Sequence, residues 1–269
     1  MTNNLEKIEL AIAKSRAEAV EPRDLASRPL FRRPVAPGAF DRKAEVVVLN
    51  HGTLEKNRIV AWNKRDVRTG AFDLLRTKVL RTMSQNGWRT IGVTSPTEAC
   101  GKTTVSINLA FSIAHQKDAN VLLADLDLRH PRIAAYIGLQ PQEDLTTFLE
   151  GQAPLMTYDV EIVGVRLGVI PNTATRHNAT ELLTQSSADL LFDGLKDWAN
   201  ASVIVFDLPP LLPTDDALAV IPKLDCVLVV VGEGVTKKAD VNAALSLVPD
   251  SVLLGVVYNK SRAKRLSYY

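Results

Sequence analysis

Apolar and polar positions divide this chain near residue 58. Beyond it, uninterrupted apolar runs recur at 90–94, 121–124, 167–170, 203–206, 226–231 and 252–258, with helix-like stretches between them. Runs that are apolar throughout, rather than alternating, belong to strands buried on both faces. Strands that alternate with helices predict a parallel β-sheet flanked by helices, an α/β fold. One helix is marked by Phe72, Leu75, Val79 and Met83 on a single face, and Gly87 ends it. In such sheets ligands bind beyond the carboxyl ends of the strands, so the chemistry is to be sought just after each run.

Before residue 58 the pattern weakens. Leu5, Ile8 and Ile12 recur at helical spacing, predicting a short amphipathic helix within 1–20. Pro22, Pro29, Pro34 and Pro37 among arginines predict a mostly disordered linker over 21–57. The expected organisation is therefore helix 1–20, linker 21–57, α/β domain 58–262 and tail 263–269. With 46% hydrophobic and 23% charged residues in 269, the composition is globular. A net charge of +2 gives no field that would draw the whole chain onto nucleic acid. Basic residues do cluster at Arg23–Lys43 and Lys260–Arg265, which read as solvated tails. Two cysteines, Cys100 and Cys226, suit a reducing compartment. No signal peptide and no apolar run of membrane-spanning length is present, so a soluble, cytoplasmic chain is expected, reaching a membrane only through a partner.

The run ends carry the candidate chemistry. After 90–94 comes Ser95-Pro96-Thr97-Glu98-Ala99-Cys100-Gly101-Lys102-Thr103-Thr104, leading into VSINLAFSIA. A strand–loop–helix ending Gly-Lys-Thr turns backbone N–H groups and a helix N-terminus toward phosphates. Lys102 would reach the outer phosphates and Thr103 would ligate magnesium. The usual leading glycine is absent, since Pro96 stands five places before Gly101. The run 121–124 ends in Asp125-Leu-Asp127-Leu-Arg129. Two carboxylates there would be costly unless they serve a cation or a proton transfer. The run 203–206 ends Asp207-Leu-Pro209-Pro210, a Walker B-like carboxylate followed by residues that cannot extend a strand.

These three boxes in this order, the last reading Asp-x-Pro-Pro, resemble the bacterial tyrosine kinases of capsule and exopolysaccharide synthesis, P-loop proteins of the MinD/ParA-like group. Asn178-Ala-Thr-Glu181-Leu182-Leu183, Asp216-Ala217 and Leu254-Gly255-Val-Val-Tyr-Asn259 are also similar, and the resemblance covers about residues 58–262. It implies Mg-ATP bound by the loop Ala99, Cys100, Gly101, Lys102, Thr103 and Thr104, with Asn259 at the adenine. It implies a metal held by Thr103, Asp125 and Asp207, and catalysis by Lys102, Asp125, Asp127 and Asp207, Asp125 serving as base or metal-linked carboxylate. It also implies autophosphorylation at a C-terminal tyrosine cluster, here Tyr268 and Tyr269, and activation by a membrane polysaccharide co-polymerase. A non-kinase ATPase switch and a nucleotide-bound scaffold remain open alternatives.

The chain departs from that family at several positions. The oligomerisation pattern Glu-x-x-Arg-x-x-Arg falls on Gly70, Asp73 and Arg76, which puts a ring-type homo-oligomer in question. Ala99 replaces a loop glycine and would be strained at positive φ. Cys100, beside a helix N-terminus and Lys102, is expected to have a lowered pKa and to be a candidate redox-sensitive thiol. Thr97 stands where MinD/ParA relatives carry a signature lysine.

Overall fold

The computed structural model describes residues 40–42, 46–117, 119–197 and 203–261. The expected N-terminal helix, most of the linker, and Tyr268 and Tyr269 lie outside the described residues.

Among the described residues nine strands form the sheet. In chain order they are β1 (Phe40–Arg42), β2 (Val47–Val48), β3 (Thr90–Thr94), β4 (Val121–Asp125), β5 (Leu155–Ile162), β6 (Val165–Ile170), β7 (Val203–Asp207), β8 (Cys226–Gly232) and β9 (Leu253–Asn259). Across the sheet the order is β1-β5-β6-β4-β7-β3-β8-β9, with β2 also on β5. All pairings are parallel except the β5–β6 hairpin. Every residue of β3, β4, β7 and β8 is buried, as unbroken apolar runs require. Two apolar clusters cover the two faces, one including Leu123, Val205 and Leu228, the other Leu122, Ile204 and Val227.

The helices are α1 (His51–Lys56), α2 (Thr69–Asn86), α3 (Lys102–Ala114), α4 (Ile133–Ile137), α5 (Leu145–Leu149), α6 (Ala179–Thr184), α7 (Ser186–Asp197), α8 (Asp216–Val220) and α9 (Lys238–Leu247). Helix α3 is nearly all buried, and its mean composition is apolar because sheet and α2 enclose it. Gly87 closes α2 at φ 65, the left-handed cap that glycine adopts without a Cβ penalty.

The linker assigned to 21–57 is folded in its last part, where β2 joins the sheet and α1 follows. Buried Leu49 and Leu54 provide the apolar anchors. Residues Ile59–Trp62 are buried without periodicity, and buried Asn108 on α3 satisfies their backbone. It accepts from the N–H groups of Val60 (2.7 Å) and Ala61 (2.9 Å) and donates to the Arg58 carbonyl (3.0 Å). Strand β5 escaped notice because it is antiparallel and half-buried, so Asp159 and Glu161 interrupt its apolar residues.

Asp73 and Arg76, at the oligomerisation-helix positions, bind each other at 2.9 Å. Lys64 pairs with Asp73 at 2.6 Å, and Ser112 of α3 donates to the same carboxylate at 2.8 Å. These three charges pair with one another within the chain.

A candidate nucleotide site at the strand ends

Adjacent strands β3, β7 and β4 bring the boxes together. In the sheet register Val93 pairs with Asp207, and Asp207 pairs with Asp125. Two carboxylates therefore face each other at the carboxyl end of a dry sheet, both fully buried. The P-loop arrives from β3 and enters α3 at Gly101, whose φ of 89 places its backbone where only glycine is unstrained. A Cβ there would lie 2.4 Å from the Asn259 amide nitrogen. Ala99 adopts φ 59, so its methyl group does sit in the left-handed region, as the missing loop glycine implied.

Lys102 is the central cation. Its Nζ donates to Asp127 Oδ2 at 2.6 Å and lies 3.8 Å from Asp207 Oδ2. Thr103 donates to Asp207 Oδ2 at 2.6 Å, and Ser106, one turn further along α3, donates to Oδ1 at 3.0 Å. Asp127 Oδ1 accepts from the His130 N–H at 2.9 Å. Asp125 is engaged differently. Its oxygens accept from the backbone N–H groups of Asp127 (3.2 Å), Arg132 (3.0 Å) and Ile133 (2.9 Å). It thus holds the loop that follows β4.

One ammonium stands against three buried carboxylates, and the local excess is negative. Burial, reinforced by the facing Asp207 charge, pushes Asp125 well above the ordinary carboxylate range. Burial also raises Asp207, against the opposing pull of Lys102 and the Thr103 hydroxyl. The surrounding aspartates, Asp207 and Asp127 first, raise Lys102 despite its burial. An excess of hard oxygen donors beside a loop with left-handed backbone fits a hard divalent cation carried with a phosphate ligand. Thr103, Asp125 and Asp207 could hold such a cation, and Lys102 could meet phosphate.

The remaining predicted residues sit around this core. Asn259, at the end of β9, donates to the Cys100 carbonyl at 2.9 Å, so its amide braces the P-loop. Thr104 contributes its carbonyl to Asn108 at 2.8 Å. Cys100 is only 1% exposed, and burial raises its thiol, but contacts with Thr236 and Thr97 outweigh this and lower the pKa. The lowering therefore comes first from the Thr236 and Thr97 hydroxyls, and burial removes the solvent access that a redox sensor needs. Thr97 serves that thiol. Sequence reading missed Ser106, although a serine four residues after Lys102 within an apolar helix was a visible signal. It also missed Asp144, buried among donors from Thr146, Thr147, Thr173 and Ala174, and the role of Asp216.

With the geometry established, known proteins can be compared. A ParA family model, described as the NUBPL iron-transfer P-loop NTPase, matches residues 88–265. The tyrosine-protein kinase ptk of Acinetobacter johnsonii is 29% identical over 160 residues, 59% of this chain and 21% of that protein, so the chain spans about a fifth of it. The tyrosine-protein kinase YwqD of Bacillus subtilis is 25% identical over 224 residues, covering 82% of this chain and 93% of YwqD. The solved kinase domain of the Escherichia coli tyrosine kinase ETK is 26% identical with a TM-score of 0.66, covering 78% of this chain and 84% of that domain. The P-loop NTPase fold implies nucleotide binding, generally with magnesium. With its P-loop lysine and its two aspartate boxes, this chain belongs to the ParA-type P-loop NTPases and, among them, to the bacterial tyrosine kinase family.

Proposed function

We propose that this protein is a Mg-ATP-dependent protein-tyrosine autokinase that regulates exopolysaccharide or capsule assembly together with a membrane co-polymerase. The observation that carries the reading is the buried set of Lys102, Thr103, Asp125, Asp127 and Asp207 at adjoining strand ends. When bound, magnesium neutralises phosphate charge and orients the transferred group. Lys102 holds the outer phosphates, and Thr103 with Asp207 anchors the metal. Asp125, with its raised pKa, is suited to accept the tyrosine hydroxyl proton late in transfer. Asp127 releases Lys102 to the phosphates and keeps the loop after β4 in place through His130. Tyr268 and Tyr269 are the acceptors. Among the described residues no helix is long and apolar enough to cross a membrane, which is consistent with recruitment through a partner.

A second reading, an ATPase switch that transfers phosphate to water, draws support from the internal pairing of Asp73 and Arg76. One assay separates the two. The full chain, its Lys102→Ala variant and a chain ending at Ser267 are incubated with magnesium and ATP, with and without a co-polymerase cytoplasmic segment, and probed for phosphotyrosine and free phosphate. The kinase reading expects phosphotyrosine that requires Lys102 and disappears with the truncation. Free phosphate without phosphotyrosine, even with the partner segment, would establish the switch. Absence of both products would leave a scaffold.

A further inference from the structure

The loop between β4 and α4 wraps around the reacting carboxylates. Its N–H groups at 127, 132 and 133 point to Asp125, and that at 130 points to Asp127. Such an arrangement requires the loop to rise and return within eight residues, and something must hold its apex. Arg129 sits there. Its guanidinium donates from Nε to Asp216 Oδ2 at 2.5 Å and from Nη2 to Asp216 Oδ1 at 3.1 Å, a bidentate pair. The Asp216 carboxylate is 1% exposed and also accepts from the Thr180 hydroxyl, which binds Asp215 as well. A second tie runs from the Arg176 N–H to the Leu128 carbonyl at 2.8 Å.

We infer that Asp216 is a positioning residue: through Arg129 it fixes the apex of the loop whose backbone orients Asp125 and Asp127. It connects three segments, the loop after β4, the first turn of α6 and the start of α8, and touches neither P-loop nor Lys102. The inference rests on the kinase reading for its catalytic consequence, but the loop geometry stands apart from it. A carboxylate bonded to two guanidinium nitrogens and a hydroxyl holds orientation as well as charge. An isosteric amide in its place offers one oxygen and an N–H₂ that opposes the guanidinium.

Asp216→Asn, Arg129→Gln and the double variant test this in the full chain. Expected is a fall in phosphotyrosine formation of roughly 10–100-fold in kcat, the scale of a small misplacement of reacting groups, with nucleotide affinity within about 3-fold of the parent. The double variant should be no worse than either single one, since the pair acts as a unit. Hydrogen exchange supplies a readout that does not need activity. Amides of 127, 130, 132 and 133 should exchange faster in Asp216→Asn, while those of 100–104 keep the parental rate. Additive losses, or affinity and melting temperature falling together without local exchange at 126–133, would assign Asp216 to general stability and overturn the inference. Should the parent make neither phosphotyrosine nor phosphate, the kinase reading fails by itself. The exchange pattern then decides: faster exchange confined to 126–133 supports the positioning role, and unchanged exchange there rejects it.

Discussion

Two groups of buried aspartates in this protein differ in what surrounds them. Asp125 and Asp207 face one another across β4 and β7, and burial raises both. Asp144 and Asp216 are buried as well, yet their pKa values are lowered. For Asp144, burial pushes upward, but the hydroxyls of Thr146 and Thr173 and backbone N–H groups outweigh it. For Asp216, burial is likewise outweighed by Arg129 and Thr180. The raised pair lies deeper and each member faces the other's charge, whereas the lowered pair is less deeply buried and its hydroxyl, N–H and guanidinium donors outweigh burial. Carboxylates whose donors outweigh burial serve architecture, whereas a deeply buried pair facing like charge retains capacity for a ligand.

The contrast can be broken most severely at Lys102. Lys102→Ala removes the single cation beside the facing carboxylates and should lower phosphoryl transfer by about 10²–10³-fold or more, as removal of one preorganised charge does. Radiolabelled phosphate release and phosphotyrosine blots measure it, and near-parental turnover would refute the assignment. Asp144→Asn attacks the donor-rich group. Several buried N–H and O–H donors lose an acceptor, so unfolding in urea should show a loss of about 2 kcal/mol. A neutral outcome would mean that the loop after β6 repacks without it.

Asp207→Asn should act in the opposite direction on the unliganded chain. Because the folded pKa of Asp207 lies above its ordinary value of 3.8, its ionisation opposes folding. Stability from this group is full below that value and is lost as pH rises through the folded pKa. The amide variant should therefore melt about 2–5 °C higher than the parent at neutral pH, with no advantage near pH 4, by differential scanning fluorimetry. It should also lose the stabilisation that magnesium with nucleotide gives the parent. A variant less stable than the parent at neutral pH would show that Thr103 and Ser106 depend on the charge itself. The smallest effect is expected at Ala99. Ala99→Gly relieves a left-handed alanine, but frees the unfolded chain, so the net gain should be a few tenths to about 1 kcal/mol. A loss measured by thermal unfolding would indicate that the methyl group packs usefully.

The two groups also differ in how far the sequence exposes them. Asp125, Asp127 and Asp207 each end an apolar run, and a charge after four buried residues stands out wherever strands are read. Asp144 and Asp216 lie at the starts of short helices, where an aspartate looks like any cap residue. Their partners, Thr173 and Arg129, are 29 and 87 residues distant, and only the folded chain joins them. The strands of the central sheet were legible for the same reason as the first group. Strand β5 was not, because half-burial breaks its apolar run, nor was the buried segment around Ile59–Trp62, whose backbone is satisfied by the distant side chain of Asn108.

The contact between Lys102 and Asp127 has a consequence for the order of events. An incoming anion must take an ammonium already in use, and taking it strips three carboxylates of their counter-charge. An incoming cation meets an ammonium already seated among the same oxygens. Each guest alone is thus opposed by what it displaces, whereas arriving together each compensates the loss the other causes. Such reciprocal coupling would make the pocket a coincidence detector, with little response expected to free phosphate or free metal and a steep one to the pair.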